Sequence, residues 1–232
     1  MYLQLKGWYM KNMQNDINVL IVDDSKLSCM ILKKTIEIMP NMTVSAVFDN
    51  AEDGVSFLSE NDVDLVLMDI GLPYMNGVEA SCIIKDINPD IKVILFAADN
   101  YKSEILASLY ANADAYLLKD VSKDKLYKII NLVLDGNSWI DFRIQHSIFN
   151  YINTLPEVDY IKFKSMLNPK ETSLIKMIIK GFNKYEVTNG LEICLCDLSS
   201  YVHSIFDKLA KTEKVINAVK EFNYGFIEAK CI

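Results

Sequence analysis

Between residues 17 and 134 the chain alternates short apolar runs with longer stretches whose apolar residues recur three and four apart. The runs at 18–22, 43–48, 63–68, 92–96 and 113–118 read as strands, and the most apolar of them as strands buried on both faces. The stretches at 25–38, 51–60, 77–87, 103–112 and 122–134 read as helices. In the first, Leu27, Met30, Ile31 and Lys34 fall at helical spacing. Ser25 is a ready N-cap, Pro40 follows the stop of the first helix, and Asn88-Pro89 ends the third. Strict alternation of the two patterns predicts βαβ units and a parallel α/β sheet. Five strands and five helices fit the flavodoxin-like order 2-1-3-4-5.

Past residue 134 the pattern changes. Residues 135–138 close the alternating part. From 139 to 155, Ile140, Ile144, Ile148 and Ile152 lie four apart and predict an amphipathic helix, with Trp139, Phe142 and Phe149 as packing groups. Residues 156–164 read as a polar connector. Asn168-Pro169-x-Glu171 then places an N-cap and a proline at the first helical position, and Gly181 ends that helix. Further short helices are predicted at 184–191, 197–209 and 213–222. Short helices joined by tight turns fit a small all-α helix-turn-helix unit. The chain thus divides into an N-terminal extension (1–16), an α/β domain (17–138), a helical linker (139–165) and a helix-turn-helix domain (166–232). Met10 and Met13 are alternative starts within the extension.

Apolar residues make up 51 % of the 232, enough for a sizeable core, and net charge is −7. Residues 166–232 hold nine Lys against eight acidic residues, so the acidity belongs to the first 165. Bulk electrostatics therefore exclude a nucleic-acid binder along the whole chain. No apolar run approaches a membrane span, and the first residues lack the continuous core of a signal peptide. Five scattered cysteines without framework spacing predict reduced thiols in a cytoplasmic protein. Cys194, Cys196 and His203 offer metal-type donors but no fourth ligand, so no structural metal is expected there.

The chemistry concentrates where strands end. Asp69 closes the apolar run 63–68, and Gly71, Pro73, Asn76 and Gly77 mark a loop behind it. Asp23 and Asp24 close the first strand, and Lys119 closes the last. In open α/β sheets ligands sit outside the carboxyl ends of strands. A lone Asp there can be a nucleophile, a metal ligand or a helix cap. Three carboxylates and one ammonium together predict an acidic pocket whose repulsion a divalent cation relieves. Mg²⁺ suits oxygen ligands of this kind. Phosphoryl transfer onto the Asp69 carboxylate is the chemistry that fits.

The combination VDD, LMDIGLPYMNG and ADAYLLKD resembles the receiver domain of bacterial two-component response regulators, over roughly residues 17–138. The closing Lys-Asp is similar to the NarL/FixJ group. LNPKETSLIKMIIKGFNKYEV resembles, more faintly, the LuxR-type output domain of that group. The resemblance implies that Asp69 accepts a phosphoryl group from a sensor histidine kinase and that Lys119 contacts it. It further implies Mg²⁺ held by Asp24 directly, by Asp23 through water, by Asp69 and by the Gly71 carbonyl. DNA is the implied partner of the output domain, as a homodimer.

Three departures stand out. Ala97 closes the fourth strand where the family has Thr or Ser, so a methyl replaces the hydroxyl that works with the fifth-strand aromatic, here Tyr116. Ser199 and Tyr201 replace the Lys and His usual on the recognition helix. From Cys196 to Phe206 there is no Lys or Arg, although DNA binding needs cations and long polar side chains. The candidate DNA contacts are Lys170, Lys180 and Lys184 on neighbouring helices, with Ser199, Ser200 and His203 on the recognition helix. Finally, the connection at 210–212 is shorter than the family norm. The leading reading is a transcriptional response regulator. Its rival is a regulator that docks a protein through a degenerate helix-turn-helix domain. An Asp69-dependent phosphatase is disfavoured, because Gly71 stands where that class needs a second Asp as general acid.

Overall fold

A computed structural model describes residues 16–98, 111, 113–141, 143–145, 148, 152, 154–182 and 184–212. Strands β1 (Ile17–Val22), β2 (Met42–Phe48), β3 (Leu65–Asp69), β4 (Lys92–Ala97), β5 (Ala115–Leu118) and β6 (Trp139–Ile140) form one sheet in the order β2-β1-β3-β4-β5-β6. All neighbours pair in parallel. Helices α1 (Lys26–Glu37), α2 (Ala51–Phe57), α3 (Gly77–Ile87) and α4 (Lys123–Leu134) fall between the strands. The predicted helix at 103–112 lies almost wholly outside the described residues, and the extension 1–15 and the helix at 213–222 lie entirely outside them.

Side chains alternate between the sheet's two faces. Val19, Ile21, Leu65, Leu67, Ile94, Phe96 and Leu117 join Ile36 of α1 and Leu126, Ile129, Ile130 and Val133 of α4 in one core. Leu20, Val22, Val66, Met68, Leu95, Ala97 and Tyr116 face the other way, toward α2 and α3. The expected N-cap Ser25 accepts the Ser28 N–H, and Asn50 and Asn76 cap α2 and α3 in the same way, accepting from Asp53 and Glu79.

The helix expected at 25–38 forms as α1 with Leu27, Met30 and Ile31 toward solvent, while three other sequence readings need correction. Leu27 is 62 % and Ile31 55 % exposed, while Cys29, Leu32 and Ile36 make the buried face of α1. Residues 139–140 are strand, not the start of a helix. The Trp139 and Asp141 N–H groups donate to the carbonyls of Asp114 and Tyr116 at 3.0 and 2.9 Å, so the open edge of β5 satisfies this backbone first. The sheet therefore crosses the boundary drawn at 138. The polar connector at 156–164 is helical: α5 (Glu157–Met166) also crosses the boundary drawn at 165, anchored by the buried Phe163. Cys29 and Cys82 are free thiols, but Cys194 is disulfide-bonded.

The C-terminal helices are α6 (Pro169–Ile179), α7 (Lys184–Leu191) and α8 (Leu195–Leu209). Asn168 and Glu171 form a reciprocal capping box at the start of α6. Leu174, Ile178, Val187, Val202, Ile205 and Phe206 continue the same core that covers the α2/α3 face of the sheet, through Ile140, Ile144, Ile148 and Ile152. Helix α8 packs directly on β6. Among the described residues no helix is long and apolar enough to cross a membrane.

Candidate functional site

The sheet ladder places the polar residues. The Asp23 N–H donates to Phe48 O at 3.1 Å, one step past β1, and the Lys119 N–H donates to Ala97 O at 3.0 Å, one step past β5. Asp69, the last residue of β3, registers against Phe96. Asp23, Asp69 and Lys119 therefore meet at the carboxyl edge of the sheet, on either side of the point where strand order reverses.

The Lys119 ammonium bridges two carboxylates, 2.8 Å from Asp23 Oδ2 and 2.9 Å from Asp69 Oδ2. The other oxygen of Asp23 accepts the Ser25 N–H at 2.9 Å, and that of Asp69 accepts the Gly71 N–H at 3.3 Å. Carboxylate oxygens of Asp23, Asp24 and Asp69 lie within 4.8 Å of one another. Asp23 and Asp69 are buried, whereas Asp24 is exposed. Burial pushes the Asp69 carboxyl above its ordinary range, against the pull of Lys119. Burial alone would lower the Lys119 ammonium, but its hydrogen bonds to Asp23 and Asp69 outweigh this and raise it. One ammonium cannot balance three carboxylates, so the all-oxygen cluster fits a hard divalent cation.

The loop behind Asp69 is held tightly. A Cβ on Gly77 would stand 2.1 Å from the Asp69 carbonyl oxygen, so only glycine allows α3 to start this close to β3. Glu52, which the sequence reading passed over, accepts the Met75 N–H at 3.1 Å and pins the loop to α2. Ala97 is buried at the end of β4, between β3 and β5, and offers a methyl there. Tyr116 is buried too. Its hydroxyl accepts the Ala113 N–H at 3.2 Å, and burial pushes its pKa far up.

The candidate DNA contacts scatter. Lys170 and Lys180 are exposed on the first turn and at the C-cap of α6. Ser200 of α8 is exposed and, with Ser204 and Asp207, lines a cleft of about 400 Å³ against Lys85, Asp114 and Asn137 of the α/β domain. Lys184, Ser199 and His203 lie on α7 and α8, with side chains outside the described residues. Lys208, the basic residue of α8's last turn, is committed elsewhere. It bonds both oxygens of the buried Glu171 at 2.6 and 2.7 Å, while Ser204 adds a third bond at 2.8 Å. The capping-box spacing made half of this network legible; its partners on α8 lie more than thirty residues away.

Comparison with known proteins agrees with this geometry. Residues 19–131 match the response regulator receiver domain family. The transcriptional regulatory protein DegU of Brevibacillus brevis is 24% identical over 230 residues, covering 94% of this chain and 98% of that protein. ComA of Bacillus subtilis is 27% identical over 207 residues, covering 86% and 96%, and NarL of Escherichia coli K12 is 24% identical, covering 89% and 95%. Among solved structures, RcsB from Salmonella enterica serovar Typhimurium, bound to a promoter in the presence of a phosphomimetic, superposes with a TM-score of 0.56 at 21% identity, covering 90% of this chain and 98% of that one. An acidic pocket at the strand ends, a family match over the sheet that builds it and similarity to NarL-type regulators along nine-tenths of the chain lead to one assignment: residues 19–131 form a response regulator receiver domain.

Proposed function

We propose that Asp69 is the phosphoacceptor of a two-component system in the cytoplasm and that the C-terminal helices bind DNA to regulate transcription. The observation that carries the first part is the Lys119 ammonium held 2.9 Å from a buried Asp69 carboxylate beside Asp23 and Asp24. An Asp69 oxygen attacks the phosphorus of a phosphohistidine on a sensor kinase. A P–O bond forms as the P–N bond breaks, and the imidazole leaves. Asp23, Asp24, Asp69 and the Gly71 carbonyl would hold Mg²⁺, which would supply positive charge against the phosphoryl oxygens. Lys119 turns from Asp69 to the arriving phosphoryl group. The covalent chemistry is the protein's own phosphorylation and its reversal, so no foreign substrate is turned over.

DNA binding rests on the likeness to NarL-type regulators along nine-tenths of the chain. Helix α8 is the proposed reading helix, and its Ser200 edge faces the receiver across the cleft. DNA access therefore requires α8 to leave β6. With Lys208 locked on Glu171, the remaining phosphate contacts are few. Retardation of promoter DNA by the full chain across a salt series should give a shallow slope, stronger binding after phosphodonor treatment and steep dependence on protein concentration from dimerisation. Ser199→Lys should steepen the slope by about one unit. Absence of any DNA binding in both proteins and both phosphorylation states would favour the partner-docking role instead.

A further inference from the structure

Arg143 is the only arginine in a chain that otherwise uses lysine for every strong base. It lies just past β6, and its guanidinium forks onto Asp120, with Nη1–Oδ2 2.6 Å and Nη2–Oδ1 2.7 Å. Its Nε donates to Asp141 Oδ1 at 3.1 Å. Asp141 is buried and also takes Lys125 of α4 at 2.8 Å. The Asp141 N–H is bonded to Tyr116 O of β5. An ammonium can bridge two carboxylates, as Lys119 does, but it cannot supply the planar bidentate fork that Arg143 lays on Asp120 while its Nε holds Asp141. Isolated exposed ion pairs contribute little, but a bidentate pair inside a network is the exception.

Position gives the fork its meaning. Asp120 directly follows Lys119, which holds Asp23 and Asp69. On the other side, Arg143 precedes Ile144, which with Ile148 and Ile152 joins the core that includes Val202, Ile205 and Phe206 of α8. The route through a strand-end hydroxyl is closed, because Ala97 has none and the Tyr116 hydroxyl is already bonded to Ala113. We infer that Arg143 is a clamp that reports the state of Asp69 to α8, by tying the backbone of Lys119 through Asp120 to the segment that seats α8 on β6. While Lys119 rests on Asp23 and Asp69, the clamp is closed and α8 stays docked. When Lys119 re-aims at a phosphoryl group, Asp120 moves, the fork opens and α8 is released. The inference rests on the phosphoacceptor reading of Asp69.

Hydrogen exchange of α8 and β6 peptides in the full chain, with and without acetyl phosphate and Mg²⁺, tests it, with adduct formation on Asp69 weighed in the same samples. Wild type should exchange slowly in α8 and about fivefold faster once phosphorylated. Asp120→Asn, an exposed and nearly isosteric change, should form the adduct normally but exchange fast without phosphodonor and gain little from it. Arg143→Lys, which keeps the charge and loses the fork, should behave likewise. Wild-type protection and a full phosphorylation response in both variants would overturn the clamp. No adduct in wild type would instead remove the phosphoacceptor reading, while fast α8 exchange in the unphosphorylated variants would still support the tether.

Discussion

Two buried carboxylates, each bonded to a lysine, show how the same pair serves opposite ends in the two parts of this chain. In the C-terminal helices, Glu171 has all its needs met: two bonds from Lys208, one from Ser204 and one from the Asn168 N–H at 2.7 Å. Burial would raise its carboxyl, but these bonds hold it below the ordinary range. In the receiver, Asp69 shares one ammonium with Asp23 and receives only a long bond from Gly71, so burial wins and its carboxyl rises. A saturated carboxylate is a structural element. An under-satisfied one beside a second and a third acid is a site that gains from a cation and a phosphoryl group.

Removing each lysine separates the two roles most strongly. Lys208→Ala leaves the Glu171 charge buried without its cation and should cost about 3–5 kcal/mol in urea unfolding. Lys119→Ala should cost far less stability, since the pocket opens to water through Asp24, but should abolish stable phosphorylation. Equal stability losses in the two variants would erase the contrast. Gly77→Ala comes next. Its methyl collides with the Asp69 carbonyl, so about 2 kcal/mol of stability and the ability to accept a phosphoryl group should be lost together. A stable variant that still forms an adduct would mean that the loop has slack.

Acid sharpens the comparison with a smaller effect. Burial would raise the Asp141 carboxyl, but Arg143 and Lys125 hold it at about 2, below its ordinary value of about 3.9. A depressed carboxyl stabilises the fold above the unfolded value, and that contribution, about 2 kcal/mol, drains as pH falls from about 4 toward 2. Glu171 shifts in the same direction. Urea midpoints measured down this range should therefore fall, and Asp141→Asn should flatten part of the fall. An unchanged profile in that variant would show that the network is not coupled to folding.

Much of the receiver was legible because its chemistry and its fold share one signal. A buried apolar run ending in a carboxylate marks both a strand and a site, so Asp23, Asp69 and Lys119 could be brought together by pattern alone. The helix face of α1 was not legible: an apolar stripe at 3.6-residue spacing does not say which way it points, and Leu27 and Ile31 point to solvent while Ile36 points in. The strand at Trp139–Ile140 is too short to leave a period of its own and hides inside the isoleucine spacing that follows. The pairs Glu171–Lys208 and Asp120–Arg143 are invisible to spacing, because each depends on which elements the fold brings together. The single arginine was the one mark the sequence left of the second pair.

The central claim is that the under-satisfied carboxylate, Asp69, is the group that reacts. Intact mass after incubation with acetyl phosphate and Mg²⁺ measures it directly. The account predicts one phosphoryl adduct in wild type, lost in Asp69→Asn and sharply reduced in chelator. An adduct that persists in Asp69→Asn, or that forms equally well in chelator, would contradict it.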